Sequence, residues 1–257
     1  MSKFKRIRRE AIRYGDPEFD RHYIEWGFHD RETQIGEART ILDVLRPAGP
    51  VNILDLACGI GTHAVYWAEQ GHHVTAIDIS ETFIAEAHKA ACRSGVSVDL
   101  RVADIKTLEF VEQFDVVTWI EKPHFHAGMP AAIYRFLVPG GYFIGDVRNP
   151  EHPRVKRMAQ GYQTWREEGG IFYLERHESN EKAGVHEDVW IKIDPEREVI
   201  EEEFMIGDVR DGVNCNLQTA LDELPKDGFK DIELRTAEGE VFKGGEEPYW
   251  LWIVARK

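Results

Sequence analysis

Ile53-Leu54-Asp55-Leu56-Ala57-Cys58-Gly59-Ile60-Gly61-Thr62-His63-Ala64 decides how the rest of the chain is read. It is a short apolar run that ends in an acidic residue and a Gly-x-Gly turn. A helical pattern opens at Thr62, with Ala64, Val65, Trp67 and Ala68 as its packing residues. The physical logic is that of a nucleotide site: glycines let the backbone approach a ligand closely, and the helix start presents free N–H groups. A second carboxylate, Asp78, ends the next apolar run, His73-Val-Thr-Ala-Ile-Asp78, where it can accept the hydroxyls of a ribose. The glycine pattern alone would serve a nicotinamide-dependent oxidoreductase equally well.

Three details tilt the reading. Asp55 lies inside the strand end, four residues before the first glycine, where a dinucleotide-binding strand is usually apolar. Asp104 ends a third apolar run, Val98-Asp-Leu-Arg-Val-Ala-Asp104. Phe114-Asp-Val-Val-Thr-Trp119 and Phe136-Leu-Val-Pro-Gly-Gly-Tyr-Phe-Ile-Gly-Asp146 then follow. As an ordered series over residues 50 to 147, these segments resemble the class I S-adenosylmethionine-dependent methyltransferases. Within them the pattern is similar to small-molecule enzymes that act on amines, including the sugar N-methyltransferases and the glycine/sarcosine type. A dehydrogenase would need the turn and Asp78 but gives Asp104 no role.

Strand and helix alternate between residues 51 and 147, which implies an α/β fold with a parallel sheet and right-handed crossovers. The resemblance implies a Rossmann-like, doubly wound, seven-stranded sheet of order 3-2-1-4-5-7-6. Residues 16 to 46 read as helical and form an N-terminal lid, stopped by Pro47-Ala-Gly-Pro50. After Asn149-Pro150 the alternation ceases. Residues 153–168 read as one helix or an extended turn. Ile171 to His177, Val185 to Ile193 and Val199 to Ile206 then read as an antiparallel β meander of about three strands. The division expected is 1–150 with 216–257 as the cofactor domain, and 151–215 as an insertion after strand 5. In relatives that methylate small amines such a meander caps the substrate pocket or builds a homodimer.

Composition narrows the partners. The net charge of −14 is the wrong balance for a nucleic-acid enzyme, whose affinity rests on neutralising phosphates; it either favours cationic substrates or serves only to maintain solubility. Apolar runs such as Tyr249 to Ala255 are far shorter than the roughly 18 residues a bilayer span needs, so no membrane partner is expected. Cys58, Cys92 and Cys215 follow neither disulfide nor zinc spacing. A reducing cytoplasm is the natural setting. The basic start, Lys3 to Arg9, has no apolar stretch behind it and reads as a solvated terminus, with a substrate or partner contact as the alternative.

The resemblance assigns Asp55, Ala57, Gly59 and Gly61 to the methionine part of S-adenosylmethionine, Asp78 and Ile79 to ribose and adenine, and Asp104 and Ile105 to the adenine amino group. Read without it, Asp78 and Asp104 are caps of the turns after their strands. Trp119-Ile-Glu-Lys-Pro-His-Phe-His126 falls where the family places substrate and methyl group, and Trp119 is counted with the cofactor residues. There Glu121 is a candidate for holding an ammonium, or pairs with Lys122 or Arg148. His124 is a candidate base, because imidazole titrates near neutral pH. His124 and His126 find no third ligand, so no metal is expected. Phe19-Asp-Arg-His-Tyr23 resembles an element whose second aromatic folds over the sulfonium, which makes Tyr23 the third catalytic candidate, beside a packing role. The expected activity is N-methylation of a small cationic amine. The alternatives are O-methylation of a small metabolite, nicotinamide-dependent oxidoreduction, or a binding protein on a methyltransferase fold.

Overall fold

The computed structural model describes residues 4–9, 15–25, 30–120, 128–158, 162–180, 185–208 and 217–257. The chain divides into two compact units, Tyr14–Asn149 with Asn214–Lys257, and Met1–Arg13 with Pro150–Val213.

The larger unit is built on a seven-stranded sheet. Its strands are β2 (Asn52–Leu56), β3 (His73–Asp78), β4 (Asp99–Val102), β5 (Phe114–Trp119), β6 (Leu137–Arg148), β11 (Lys230–Arg235) and β12 (Trp250–Arg256). Their spatial order is β4-β3-β2-β5-β6-β12-β11, the 3-2-1-4-5-7-6 order expected from the sequence. The first five are parallel, and β12 runs antiparallel between β6 and β11. The period of two along β2 explains why both faces are covered: Ile53 packs in one core and Leu54 and Leu56 in the other. One core includes residues of α2 (Arg31–Leu45), α3 (Thr62–Glu69) and α4 (Glu81–Ser94), among them Ala38, Trp67 and Ile84. The Trp67 indole N–H donates to the Ala38 carbonyl at 3.0 Å, so a large buried ring is also polar-satisfied. The other core includes α5 (Met129–Phe136) and Ala220, on a helix at Leu217–Glu223.

The region expected as one helical stretch, 16–46, holds two helices, α1 (Pro17–Glu25) and α2. Proline opens the first, and Asp30 caps the second by accepting the Glu32 N–H.

The smaller unit is a five-stranded sheet of order β1-β10-β9-β8-β7, and it departs from expectation in two places. The meander has four strands: β7 (Tyr162–Glu168), β8 (Ile171–Asn180), β9 (Val185–Asp194) and β10 (Val199–Asp208). Residues 153–168 are a short helix at Pro153–Met158 followed by β7, because Tyr162, Thr164 and Trp165 favour a strand and Gly169-Gly170 closes a hairpin to β8. The basic start is not a solvated tail. Lys5–Arg9 is a strand, β1, paired parallel to β10, so the first strand groups with the insertion and not with the large sheet. Charge explains the partner: Arg8 lies opposite Glu202 in the register.

Candidate active site

The C-terminal ends of β2 and β3 bring the first two predicted carboxylates to the glycine turn. The turn after β2 needs left-handed backbone at Ala57, Gly59 and Gly61, with φ of 55°, 54° and 78°. Gly61 has a second reason to be glycine. A Cβ there would meet the Ala87 Cβ at 2.7 Å, so α3 can approach α4 only without a side chain at this position. Gly61 is thus a packing glycine as well as a turn residue. It caps α3 with no side-chain acceptor, so no side chain of the cap competes for the first-turn N–H groups.

Asp55 is 2 % exposed. Its Oδ1 accepts from the Thr118 hydroxyl at 2.9 Å, while its buried Oδ2 has no hydrogen-bond partner among the described residues. Burial pushes its carboxyl up to about 6, against the pull of His63 and the Thr118 hydroxyl. An orphaned carboxylate oxygen in such a place calls for a donor from a ligand. Asp78 is already engaged. Its Oδ2 accepts the Gly59 N–H and its Oδ1 the Ser80 N–H, both at 2.9 Å. It therefore ties the end of β3 to the glycine turn, and each oxygen keeps a further lone pair. Burial raises its carboxyl, and the nearby Asp20 charge adds to this, while the three backbone N–H groups of Ser80, Gly59 and Ile79 oppose it.

Beside Asp78, Ile79 is 48 % exposed, an apolar side chain open for a ring to cover. Asp104 caps a short 3₁₀ turn at Ile105–Thr107 through the Lys106 N–H, at 2.9 Å, which is the capping role open to it from sequence alone. Ile105 packs partly into the α5 core, and Trp119 is buried in that core at 3 % exposure. Tyr23 is half-buried on α1, its ring 5.9 Å from Phe19 and 6.0 Å from Phe83. Glu121, His124 and His126 lie outside the described residues.

Two pairs were not found from the sequence. His63, in the first turn of α3, sets its Nε2 3.1 Å from Glu37 Oε2 on α2. Asp20 and Ser80, both fully buried, join α1 to the start of α4. Neither has a periodic signature. The one hint was the place of Asp20 inside the Phe19-Asp-Arg-His-Tyr23 element.

Comparison with known proteins agrees with this geometry. A methyltransferase-domain profile matches residues 53–141. A ubiquinone biosynthesis O-methyltransferase of Marinobacter nauticus is 38 % identical over 108 residues, which are 38 % of this chain and 45 % of that protein; the chain thus spans less than half of this relative's length. An S-adenosylmethionine-dependent methyltransferase structure from Clostridium acetobutylicum superposes with a TM-score of 0.70 at 15 % identity, covering 93 % of this chain and 97 % of the other. CalS10 of Micromonospora echinaspora, an amino pentose methyltransferase, superposes with a TM-score of 0.62 at 18 % identity, covering 97 % and 100 %. Residues 53–141 thus match a methyltransferase domain, and the sheet order and superpositions give the chain the fold of S-adenosylmethionine-dependent methyltransferase structures.

Proposed function

We propose that this chain is an S-adenosylmethionine-dependent methyltransferase of small molecules, and that its acceptor is the nitrogen of a cationic amine. The observation that carries the cofactor assignment is the buried Oδ2 of Asp55 beside the glycine turn, which has no partner among the described residues. The methionine ammonium supplies the missing donor. Asp78 offers its remaining lone pairs to the ribose hydroxyls, and the exposed Ile79 side chain lies beside the adenine. Asp104 and Ile105 take the adenine amino edge. When bound, the cofactor supplies an electrophilic methyl group on a sulfonium.

Transfer from a sulfonium leaves a neutral thioether, so the protein's work is alignment, exclusion of water and removal of one proton from the amine. Tyr23 shields and orients the sulfonium, with a cation–ring attraction of about 0.5–2 kcal/mol. Glu121 binds the substrate cation and His124 accepts its proton. The β meander caps the substrate. The charge of −14 supports a cationic acceptor.

A second reading, oxygen as the acceptor, is favoured by the O-methyltransferase named among the relatives. The two separate in a methyl-transfer assay with panels of primary and secondary amines, phenols and carboxylates. Transfer to amines supports the first reading, and transfer confined to phenols or carboxylates overturns it. Calorimetry with S-adenosylhomocysteine tests the cofactor, and no binding would overturn both readings. Hydrogen exchange with acceptor bound tests the cap. Protection confined to residues 51–105 would remove the meander from the substrate site.

A further inference from the structure

A buried polar pair that the transfer chemistry does not use holds α1 in place. Asp20 and Ser80 are both at 0 % exposure. The Ser80 hydroxyl donates to Asp20 Oδ2 at 2.5 Å, and the Gly15 N–H donates to Asp20 Oδ1 at 3.2 Å. Ser80 is then used twice more. Its Oγ accepts the Phe83 N–H at 2.9 Å as the cap of α4, and its own N–H donates to Asp78 Oδ1. One serine therefore joins α1, the start of α4 and the carboxylate assigned to the ribose.

The remaining contacts show where α1 runs. At its entry, Gly15 lies against Ile79, with a Cβ position 3.7 Å from the Ile79 carbonyl oxygen. Midway, Tyr23 stacks on Phe83. Near its exit, Ile24 shares a cavity of about 110 Å³ with Ile60 and Thr62 of the glycine turn and with Val65. The helix thus crosses from the end of β3 to the turn after β2. At nine residues it is too short to persist on its own in water, so what docks it decides whether it is closed. Burying a carboxylate against a single hydroxyl and one amide costs solvation, and burial raises the Asp20 carboxyl accordingly. Phe19 on the same helix is buried at 1 % exposure, so an apolar side chain anchors α1 while the polar pair fixes its position.

We propose that Asp20 and Ser80 are the latch of a lid: the pair holds α1 over the β3 end and the glycine turn and limits how fast the bound cofactor leaves. Asp20 is a positioning residue, acting through Ser80 on Asp78 and through α1 on Tyr23. The identity of the ligand rests on the function proposed above; the latch itself does not.

The test uses the full chain with Asp20→Asn and Asp20→Ala. Asparagine keeps the shape but removes the charged acceptor: with its NH₂ toward Gly15 it loses that bond, and with its NH₂ toward Ser80 it must donate to the Ser80 oxygen and leave the hydroxyl proton without its carboxylate, so the latch is weakened even if the alanine variant fails to fold. Without ligand, amide exchange across residues 17–25 should rise about tenfold, the equivalent of one lost hydrogen bond to a charged group, while residues 52–56 stay unchanged. With S-adenosylhomocysteine in stopped-flow experiments, the dissociation rate should rise about tenfold and the association rate should hold. Unchanged exchange in α1 overturns the latch whether or not the ligand binds. Faster exchange with an unchanged dissociation rate overturns its hold on the ligand. Absence of S-adenosylhomocysteine binding in the parent protein sinks the functional reading instead, and the exchange arm still decides the latch.

Discussion

Asp55 carries a charge where water does not reach, and this gives the apo protein a pH signature. A carboxyl raised from 3.8 to about 6 holds more protons folded than unfolded. Its contribution to stability is present below pH 4 and is lost as the pH rises to about 6. Thermal melts should therefore show the parent losing stability relative to Asp55→Asn between these values. Cofactor affinity should run the opposite way, because an ammonium favours the ionised form. Below pH 6 the dissociation constant of S-adenosylhomocysteine should rise by up to about tenfold per pH unit, and Asp55→Asn should lose that limb. His124 makes a separate prediction. A base that must be neutral gives turnover rising through about pH 6–7, and His124→Asn should lower turnover and abolish that limb with cofactor affinity intact. Retained turnover and profile would leave the proton to solvent. At this scale the places of Asp55, Asp78 and Asp104 at or just past strand ends were legible from the apolar runs they lie in or follow. Asp20 with Ser80, and Glu37 with His63, were not, since pairs 60 and 26 residues apart follow no local period.

Elements were legible where their period was clean. The strands from β2 to β5 and the helices between them follow the apolar runs quoted from the sequence, because alternation and turn residues mark both ends, whereas β6 begins already at Leu137 and runs through Pro139-Gly-Gly141, which reads as a stop. β7 was missed because Arg166-Glu-Glu168 hides the alternation begun by Tyr162 and Thr164. The contact of α3 with α4 makes the next prediction. Gly61 combines a φ of 78° with a Cβ position 2.7 Å from Ala87, so Gly61→Ala must move one helix or strain the turn. We expect a loss of about 2 kcal/mol or more, a fall of roughly 5 °C in melting temperature. Pairing it with Ala87→Gly should recover the steric part and not the part due to φ. Full recovery would show that the turn tolerates a side chain, and no recovery would remove the helix contact as the cause.

At the scale of the whole molecule, charge and connectivity set the behaviour. With −14 overall, a cationic acceptor should be drawn in by a field that salt screens over about 10 Å at 0.1 M. The Michaelis constant for an amine should rise with ionic strength while that for a neutral acceptor holds; equal slopes would dismiss steering. The place of the insertion was legible from the loss of alternation at Asn149-Pro150. The partner of β1 was not, because Lys5–Arg9 lacks a strand period and the strand it pairs with, at Val199 to Glu203, lies in another part of the chain. Connectivity also orders events during synthesis. β12 is wedged between β6 and β11, and five of its residues, Leu251 to Ala255, are buried. Between Arg148 and Trp250 a ribosome adds roughly 100 residues at about 5–20 per second, so the nascent chain holds the flank of β6 open for some 5–20 s. An unpaired apolar strand flank of that lifetime is what chaperones bind and what aggregates on overexpression, so slowed translation of residues 149–249 should lower the soluble yield even though no residue of the finished protein has changed.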